Sequence, residues 1–381
     1  MTNGEIAQLV ERRTHKPKVK GSIPFLATTS PRCNLLMLDR DKTLFKPRDK
    51  FGSFEVIKLL GKGGMCEVYL VGKKFSLERY AVKILNPEIA ERDHANVDRF
   101  IREAEFAMQS RHPNLIEVYD VGRDPETGYC YITMEYLQGG SLKDLLAADG
   151  VMSFPGITTI ATDIARALAY VESKGMVHRD VKPDNILFSS DGSAKLADLG
   201  VLRFANAQSP SSGSPEERSD RIIGTPAYMA PEQMFDSAHV DSRADIYSLG
   251  VVMYEMIAGR RPNEGDNAMS RLAKAIGGIT FPDVRKYRPD APPYLASLVC
   301  WMTRPNVEER PGSVRNVIEQ LRHPELVRLV EFVPDESAPE DAAPDQGCPW
   351  YRDRGVMYAL TATVLAVETL VVTIVSVLRR I

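Results

Sequence analysis

The chain has 381 residues, 44% of them hydrophobic and 26% charged, with a formal net charge of -3. That composition is ordinary for a globular protein, and the length fits one domain of roughly 270 residues plus extensions. A near-neutral balance gives no bulk electrostatic reason to expect nucleic acid as a partner. The five cysteines (Cys33, Cys66, Cys130, Cys300, Cys348) are scattered without a Cys-x-x-Cys pair. This argues against a disulfide framework or a zinc site and reads as free thiols in a reducing compartment.

Residues 1–50 form a basic extension, with Arg12, Arg13, Lys16, Lys18 and Lys20 in one cluster. It lacks the apolar core of a secretory signal. One reading is a basic arm for an anionic partner. The other is translation across a transfer-RNA gene, which the run AQLVERRTHKPKVKGSIPFLA resembles, and which makes Met37 the authentic start.

Residues 51–138 read as strands plus one helix. Phe54 to Leu60 and Val68 to Val71 flank a glycine-rich turn, and Tyr80 to Leu85 is a short apolar strand. Asp98 to Ser110 has a helical pattern. Ile116 to Asp120 and Tyr129 to Tyr136 are rich in β-branched and aromatic residues, hence strands.

Residues 139–325 turn helical. Ser141 suits the N-cap of a helix over Leu142 to Ala148. Apolar residues at Ile157, Ile160, Ile164, Leu168 and Val171 make one buried face of a second helix. Further helices are expected at Asp245 to Ala258, Ala268 to Ile276, Pro293 to Met302 and Ser313 to Arg322.

Residues 326–354 form an acidic linker rich in proline and alanine, centred on EFVPDESAPEDAAPD. A transmembrane helix is expected over 355–378. At about 1.5 Å per residue, Val356 to Leu378 spans a hydrocarbon core of roughly 30 Å. Trp350, Tyr351 and Tyr358 suit interfacial anchors near one end. Glu368 opposes this, since a carboxylate at mid-span costs on the order of 2 to 3 kcal/mol. The competing reading is a buried helix of a soluble domain.

The chemistry is concentrated in His178-Arg179-Asp180-Val181-Lys182-Pro183-Asp184-Asn185, followed by Asp198-Leu199-Gly200. The two stretches hold a carboxylate base, a lysine, an amide and a second carboxylate. Phosphoryl transfer needs that set: a group for the hydroxyl proton, a cation for the moving phosphoryl, and oxygen ligands for magnesium. Upstream, Gly61-Lys62-Gly63-Gly64-Met65-Cys66-Glu67-Val68 lies between two expected strands, where glycines let backbone N–H groups approach phosphates. Ala81-Val82-Lys83 follows, with Lys83 fifteen residues after Val68.

This ordered set resembles the bacterial Hanks-type (eukaryotic-like) serine/threonine protein kinases over about residues 54 to 322. The resemblance implies an α+β fold of two lobes, a small mostly β N-lobe (51–138) and a larger mostly α C-lobe (139–325). It implies ATP as phosphoryl donor with Mg2+, or Mn2+ in its place, and proteins with Ser or Thr acceptors as substrates. Asp180 is then the catalytic base, and Lys182 neutralises the γ-phosphoryl. Asn185 and Asp198 are the metal ligands. Lys83 reaches the α- and β-phosphates and pairs with Glu103, for which Glu105 is the competing candidate. Leu60, Gly61 to Val68, Ala81, Met134 as gatekeeper, Glu135, Leu137 and Leu187 line the nucleotide site. Cys66 stands where the family has its third glycine, and Leu199 replaces the usual phenylalanine after the metal-binding aspartate.

The same resemblance makes Asp198 to Glu232 an activation segment. Arg179 is its candidate phosphate sensor, Ser219 its candidate autophosphorylation site, and Thr225 a contact of Asp180 and Lys182. Asp245 is expected to bond the catalytic-loop backbone, and Arg310 to pair with Glu232. The implied protein is an autophosphorylating, membrane-anchored signalling enzyme. It would be single-pass in the inner membrane with a cytoplasmic kinase domain, and a membrane partner or homodimer is its candidate associate. The alternative is a pseudokinase acting as a membrane-bound scaffold. A small-molecule kinase is disfavoured by Gly224 to Glu232, a stretch that resembles peptide-docking segments.

Overall fold

The computed structural model describes residues 43–329, apart from 93, 150–151, 199–202, 205–226, 236–239, 263, 265–269, 271–273 and 275–277. Side chains at 92, 94, 95, 99, 102, 103, 149, 203, 204 and 235 also lie outside the description. The basic extension up to residue 42, the expected helix at 268–276 (but for isolated positions), Ser219, Thr225, the acidic linker from residue 330 and the Val356 to Leu378 span therefore fall outside it. Among the described residues, no helix is long and apolar enough to cross a membrane.

The N-terminal part is a six-stranded antiparallel sheet of order β1-β2-β3-β4-β6-β5. The strands are β1 (Lys50–Phe51), β2 (Phe54–Lys62), β3 (Cys66–Lys73), β4 (Arg79–Leu85), β5 (Val118–Arg123) and β6 (Cys130–Glu135). Alternation sorts its side chains onto two faces. Tyr69, Val71, Val82 and Ile84 share an outer apolar cluster with Phe51 and Val56. Leu85, Val118, Cys130 and Ile132 join the main core instead. Two helices follow β4: α1 (Pro87–Arg92), which the sequence did not signal, and α2 (His94–Gln109). α2 starts four residues before the expected Asp98, and its Val97 already joins the main core.

The C-terminal part is mostly helical: α3 (Leu142–Asp149), α4 (Phe154–Ser173), α5 (Pro231–Phe235), α6 (Arg243–Ala258), α7 (Pro293–Met302) and α8 (Val314–Arg322). Ser141 caps α3 as expected, its hydroxyl accepting from Asp144 N–H at 3.1 Å. The apolar stripe of α4 is fully inside, with Ile157, Ile164 and Val171 at 0% exposure. α6 is buried on every side, as expected for a helix apolar all round. Glycine is required at its Gly250, where a Cβ would lie 2.8 Å from Thr303 and 2.9 Å from Met302.

Four short strands complete this part and escaped sequence reading: β7 (Met176–Val177), β8 (Ile186–Phe188), β9 (Ala194–Leu196) and β10 (Arg203–Phe204). At two or three residues each they are too short for a periodic signal. β8 and β9 form a hairpin. The stretch after α2 lies against it, with Ile116 N–H on Leu196 O at 3.0 Å and Leu196 N–H on Asn114 O at 2.8 Å. The stretch between α2 and β5 is thus bonded to the hairpin that leads into Asp198.

Candidate active site

The strand register puts one set of side chains on the inner face of the sheet. Val68 is opposite Lys83, and Ala81 is opposite Met134. Glu135 ends β6, and both its carboxylate oxygens accept from Lys195 Nζ on β9, at 2.7 and 2.8 Å. Leu137 follows, half-buried. Leu187 lies on β8, bridged to Ser141. The Lys195 tie had no sequence signal, since its partners are sixty residues apart.

Leu60 and residues 61–65 are exposed, at the end of β2 and in the turn that leads to β3. The turn is closed by Gly63 N–H on Cys66 O at 2.8 Å, and Asn86 N–H bonds Met65 O at 2.8 Å. A Cβ placed on Gly61 or Gly64 would meet nothing within 4 Å, and one on Gly63 only Cys66 O at 3.6 Å. None of the three has a positive φ. Neither packing nor backbone conformation therefore calls for glycine here. The space beside Gly61 and Gly64 is open, and such space lets a group come close to the backbone.

The loop His178 to Asn185 is held from below. The buried Asp245 on α6 accepts His178 N–H and Arg179 N–H, one on each oxygen, both at 2.7 Å. Burial pushes the Asp245 carboxyl up, against the pull of His178, Arg179 and these two N–H bonds. Arg179 has φ 69°, a left-handed conformation that carries strain for a non-glycine residue. Its carbonyl accepts from Gln233 Nε2 on α5 at 3.1 Å, a support the sequence did not reveal.

Above this anchor, the Asp180 carboxylate is 8% exposed and accepts Lys182 Nζ at 2.6 Å and Asn185 Nδ2 at 3.0 Å. Asn185 Nδ2 also donates to the Asp180 carbonyl at 2.8 Å. Asn185 thus spends its NH2 group on Asp180, leaving its carbonyl oxygen as the ligand atom. Asp198 follows β9 with φ 61° and pairs with Lys83. Burial works to raise the Asp198 carboxyl, but Lys83, His178 and Lys182 outweigh it and hold it below its ordinary value. Glu103 lies on α2, but its side chain falls outside the described residues, so the cation seen beside Asp198 is what the structure gives for Lys83.

Among the described residues, no three His, Cys, Asp or Glu side chains group to hold a metal by themselves. One amide oxygen and one carboxylate nonetheless fit magnesium, which takes hard oxygen ligands and completes its shell with water and phosphate.

The stretch that leads into α5 is docked on α6. Tyr228 Oη donates to Glu255 at 2.6 Å, and Ser248 Oγ donates to Tyr228 O at 2.8 Å. Burial, then the Glu255 carboxylate, raise the Tyr228 phenol and keep it neutral. Glu232 on α5 forms the expected pair with Arg310, two-pronged at 2.6 and 2.8 Å. The guanidinium is fully buried and also bonds the carbonyls of Arg304, Pro305 and Arg243.

Residues 54–324 match the family model for the protein kinase domain. PknB, a serine/threonine-protein kinase of Mycobacterium tuberculosis, is 38% identical over 220 residues, covering 57% of this chain and 34% of PknB. PrkC, a serine/threonine-protein kinase of Bacillus subtilis, is 32% identical over 248 residues, covering 65% of this chain and 37% of PrkC. The kinase domain of Mycobacterium tuberculosis PknI aligns with a TM-score of 0.56 and 28% identity, over 74% of this chain and 99% of that domain. The chain spans between a third and two fifths of the length of the curated relatives it matches. With the two-part fold, the open glycine turn and the family match over well more than half its length, the chain belongs to the protein kinase family.

Proposed function

We propose that the chain transfers the γ-phosphoryl of ATP to Ser and Thr hydroxyls of proteins, itself included, from the inner face of a membrane. The observation that carries this reading is the donation of Lys182 and Asn185 to one buried Asp180 carboxylate, on a loop whose backbone is bonded to Asp245. Asp180 orients the acceptor hydroxyl and takes its proton. Lys182 lies beside that carboxylate and balances charge on the transferred group. Asn185 and Asp198 hold Mg2+, or Mn2+, which neutralises the phosphate oxygens when bound. Lys83 then exchanges its contact with Asp198 for the α- and β-phosphates. Glu103 is the proposed helix partner of Lys83. Gly61, Gly63 and Gly64 admit the phosphates to the backbone, while Val68, Ala81, Met134 and Leu187 flank the adenine.

Control is proposed to run through the segment after Asp198, with phosphate on Ser219 meeting Arg179 and with Thr225 beside Asp180. The Val356 to Leu378 helix is the proposed single membrane anchor. ATP being cytosolic, the kinase lobes belong on that side. A membrane partner or a second copy is the proposed associate, and proteins with Ser or Thr acceptors are the substrates.

The test is Mg-dependent phosphorylation of the chain and of a generic basic protein, wild type against Asp180→Asn. Turnover by wild type, reduced about 10²- to 10⁴-fold in the variant with ATP binding retained, is the expected result. ATP binding without turnover in wild type overturns catalysis in favour of a scaffold. Release of the chain from membranes by alkaline carbonate overturns the anchor.

A further inference from the structure

Glu67 belongs to the glycine-rich stretch, yet its side chain turns away from the nucleotide side. Val68 shares the inner face with Lys83, so Glu67 and Tyr69 point to the outer face. There Glu67 is 5% exposed and has three donors. Leu44 N–H reaches its carboxylate at 2.9 Å, Lys62 Nζ at 3.1 Å, and Tyr69 Oη also donates to it. Burial alone would raise its carboxyl, but these donors hold it below the ordinary carboxylate value, so it is an ion.

Those donors come from two directions. Lys62 is on the glycine turn, opposite Glu67 in the β2–β3 ladder. Leu44 belongs to a strap that runs over the outer face ahead of β1. The strap is seated by its own contacts. Phe45 N–H donates to Tyr69 Oη at 3.1 Å, and the Phe45 ring meets Phe51, Tyr69 and Tyr129 edge-on at centroid distances of 5.3, 5.8 and 6.1 Å. Arg48 N–H bonds Val56 O at 2.7 Å. One buried carboxylate thus joins the segment ahead of the sheet to the turn that covers the phosphate space.

We propose that Glu67 is a positioning residue for the glycine-rich turn, and that the strap at Thr43 to Lys46 sets nucleotide affinity through it. The proposal rests on the kinase reading for its ATP consequence and on the structure alone for the coupling. The charged contacts at the base of the turn add to the two backbone bonds that hold it, Gly63 N–H on Cys66 O and Asn86 N–H on Met65 O.

The full chain is tested with Glu67→Gln, with Leu44→Pro, which deletes the strap's N–H donor, and with both together. Amide hydrogen exchange at residues 61–66 without nucleotide, and the KM for ATP, are the readouts. Expected is faster exchange, a KM raised about five- to tenfold, and kcat within about twofold of wild type. The double variant should lose no more than the worse single one. Unchanged exchange in both folded variants, a fall in kcat alone, or fully additive effects would overturn the proposal. Should Glu67→Gln fail to fold, Leu44→Pro decides by the same readouts. If wild type binds no ATP or transfers no phosphoryl, the kinase reading fails while exchange at 61–66 still decides the coupling.

Discussion

The two loops that meet at the site are held in opposite ways. The loop bearing Asp180 is fixed from inside: His178 and Arg179 hang on Asp245, which is 2% exposed on a helix buried all round. The glycine-rich turn is fixed from the outer face of the sheet, by the buried Glu67 on β3 and by a strap crossing that face. Interior anchors are expensive to break because the freed groups cannot find water. The strap's contacts are only partly buried, cost less to break and can be reset. Under the proposed function, a site that holds its acceptor chemistry still while admitting and releasing a nucleotide gains from that division.

The largest effect expected on the interior side is at Arg310. Its fully buried guanidinium serves Glu232 and three backbone carbonyls at once. Arg310→Met should cost about 3 to 5 kcal/mol, because it leaves the Glu232 carboxylate facing that pocket without a counterion. Urea unfolding measures this, and adding Glu232→Gln should recover part of the loss. A cost below about 1 kcal/mol would mean that the interior is not where the C-terminal part is secured.

Asp245→Asn comes next and tests the catalytic-loop anchor directly. Asparagine has one acceptor oxygen where two N–H groups need one each. One buried donor is left unsatisfied, at about 1 to 3 kcal/mol. Unfolding midpoints should drop, and phosphoryl transfer should fall while the KM for ATP stays near wild type. A rise in KM with normal kcat would erase the distinction between the loops, since both anchors would then act on the nucleotide.

The interior anchors were more legible in sequence than the exterior ones. Asp180, Lys182 and Asn185 stand within six residues, and the resemblance of that run to a kinase catalytic loop implied a shared cluster. The α4 stripe and the pairing of Arg310 with Glu232 were also expected and are present in the fold. Strands β7 to β10 were not legible, because two or three residues carry no period. Lys195 on Glu135 and Gln233 on the Arg179 carbonyl were hidden for another reason. They are single long-range contacts between residue types that mostly sit at the surface. Glu67 was read as part of the nucleotide site from its place in the glycine-rich run. The strand's alternation turns its carboxylate to the other face, toward a segment whose apolar Leu44 and Phe45 gave no strand or helix pattern.

The smallest expected effect concerns the charge on that carboxylate. Tyr69, Leu44 N–H and Lys62 hold Glu67 below its ordinary value of 4.5 in the folded protein, although burial opposes them. A carboxyl with a depressed folded pKa adds stability above its unfolded pKa and loses it as pH falls through the folded value. The stability difference between wild type and Glu67→Gln should therefore be full at neutral pH, at about 1 kcal/mol. It should shrink as pH drops below 4.5 toward the depressed value, where a protonated glutamic acid and a glutamine both present one acceptor and a donor. Other groups titrate alike in both proteins and cancel in the difference. Urea midpoints at stepped pH measure it. A difference that stays constant, or widens in acid, would show that Glu67 is not held as an ion. The exterior anchor would then be a matter of packing by Phe45 rather than of charge.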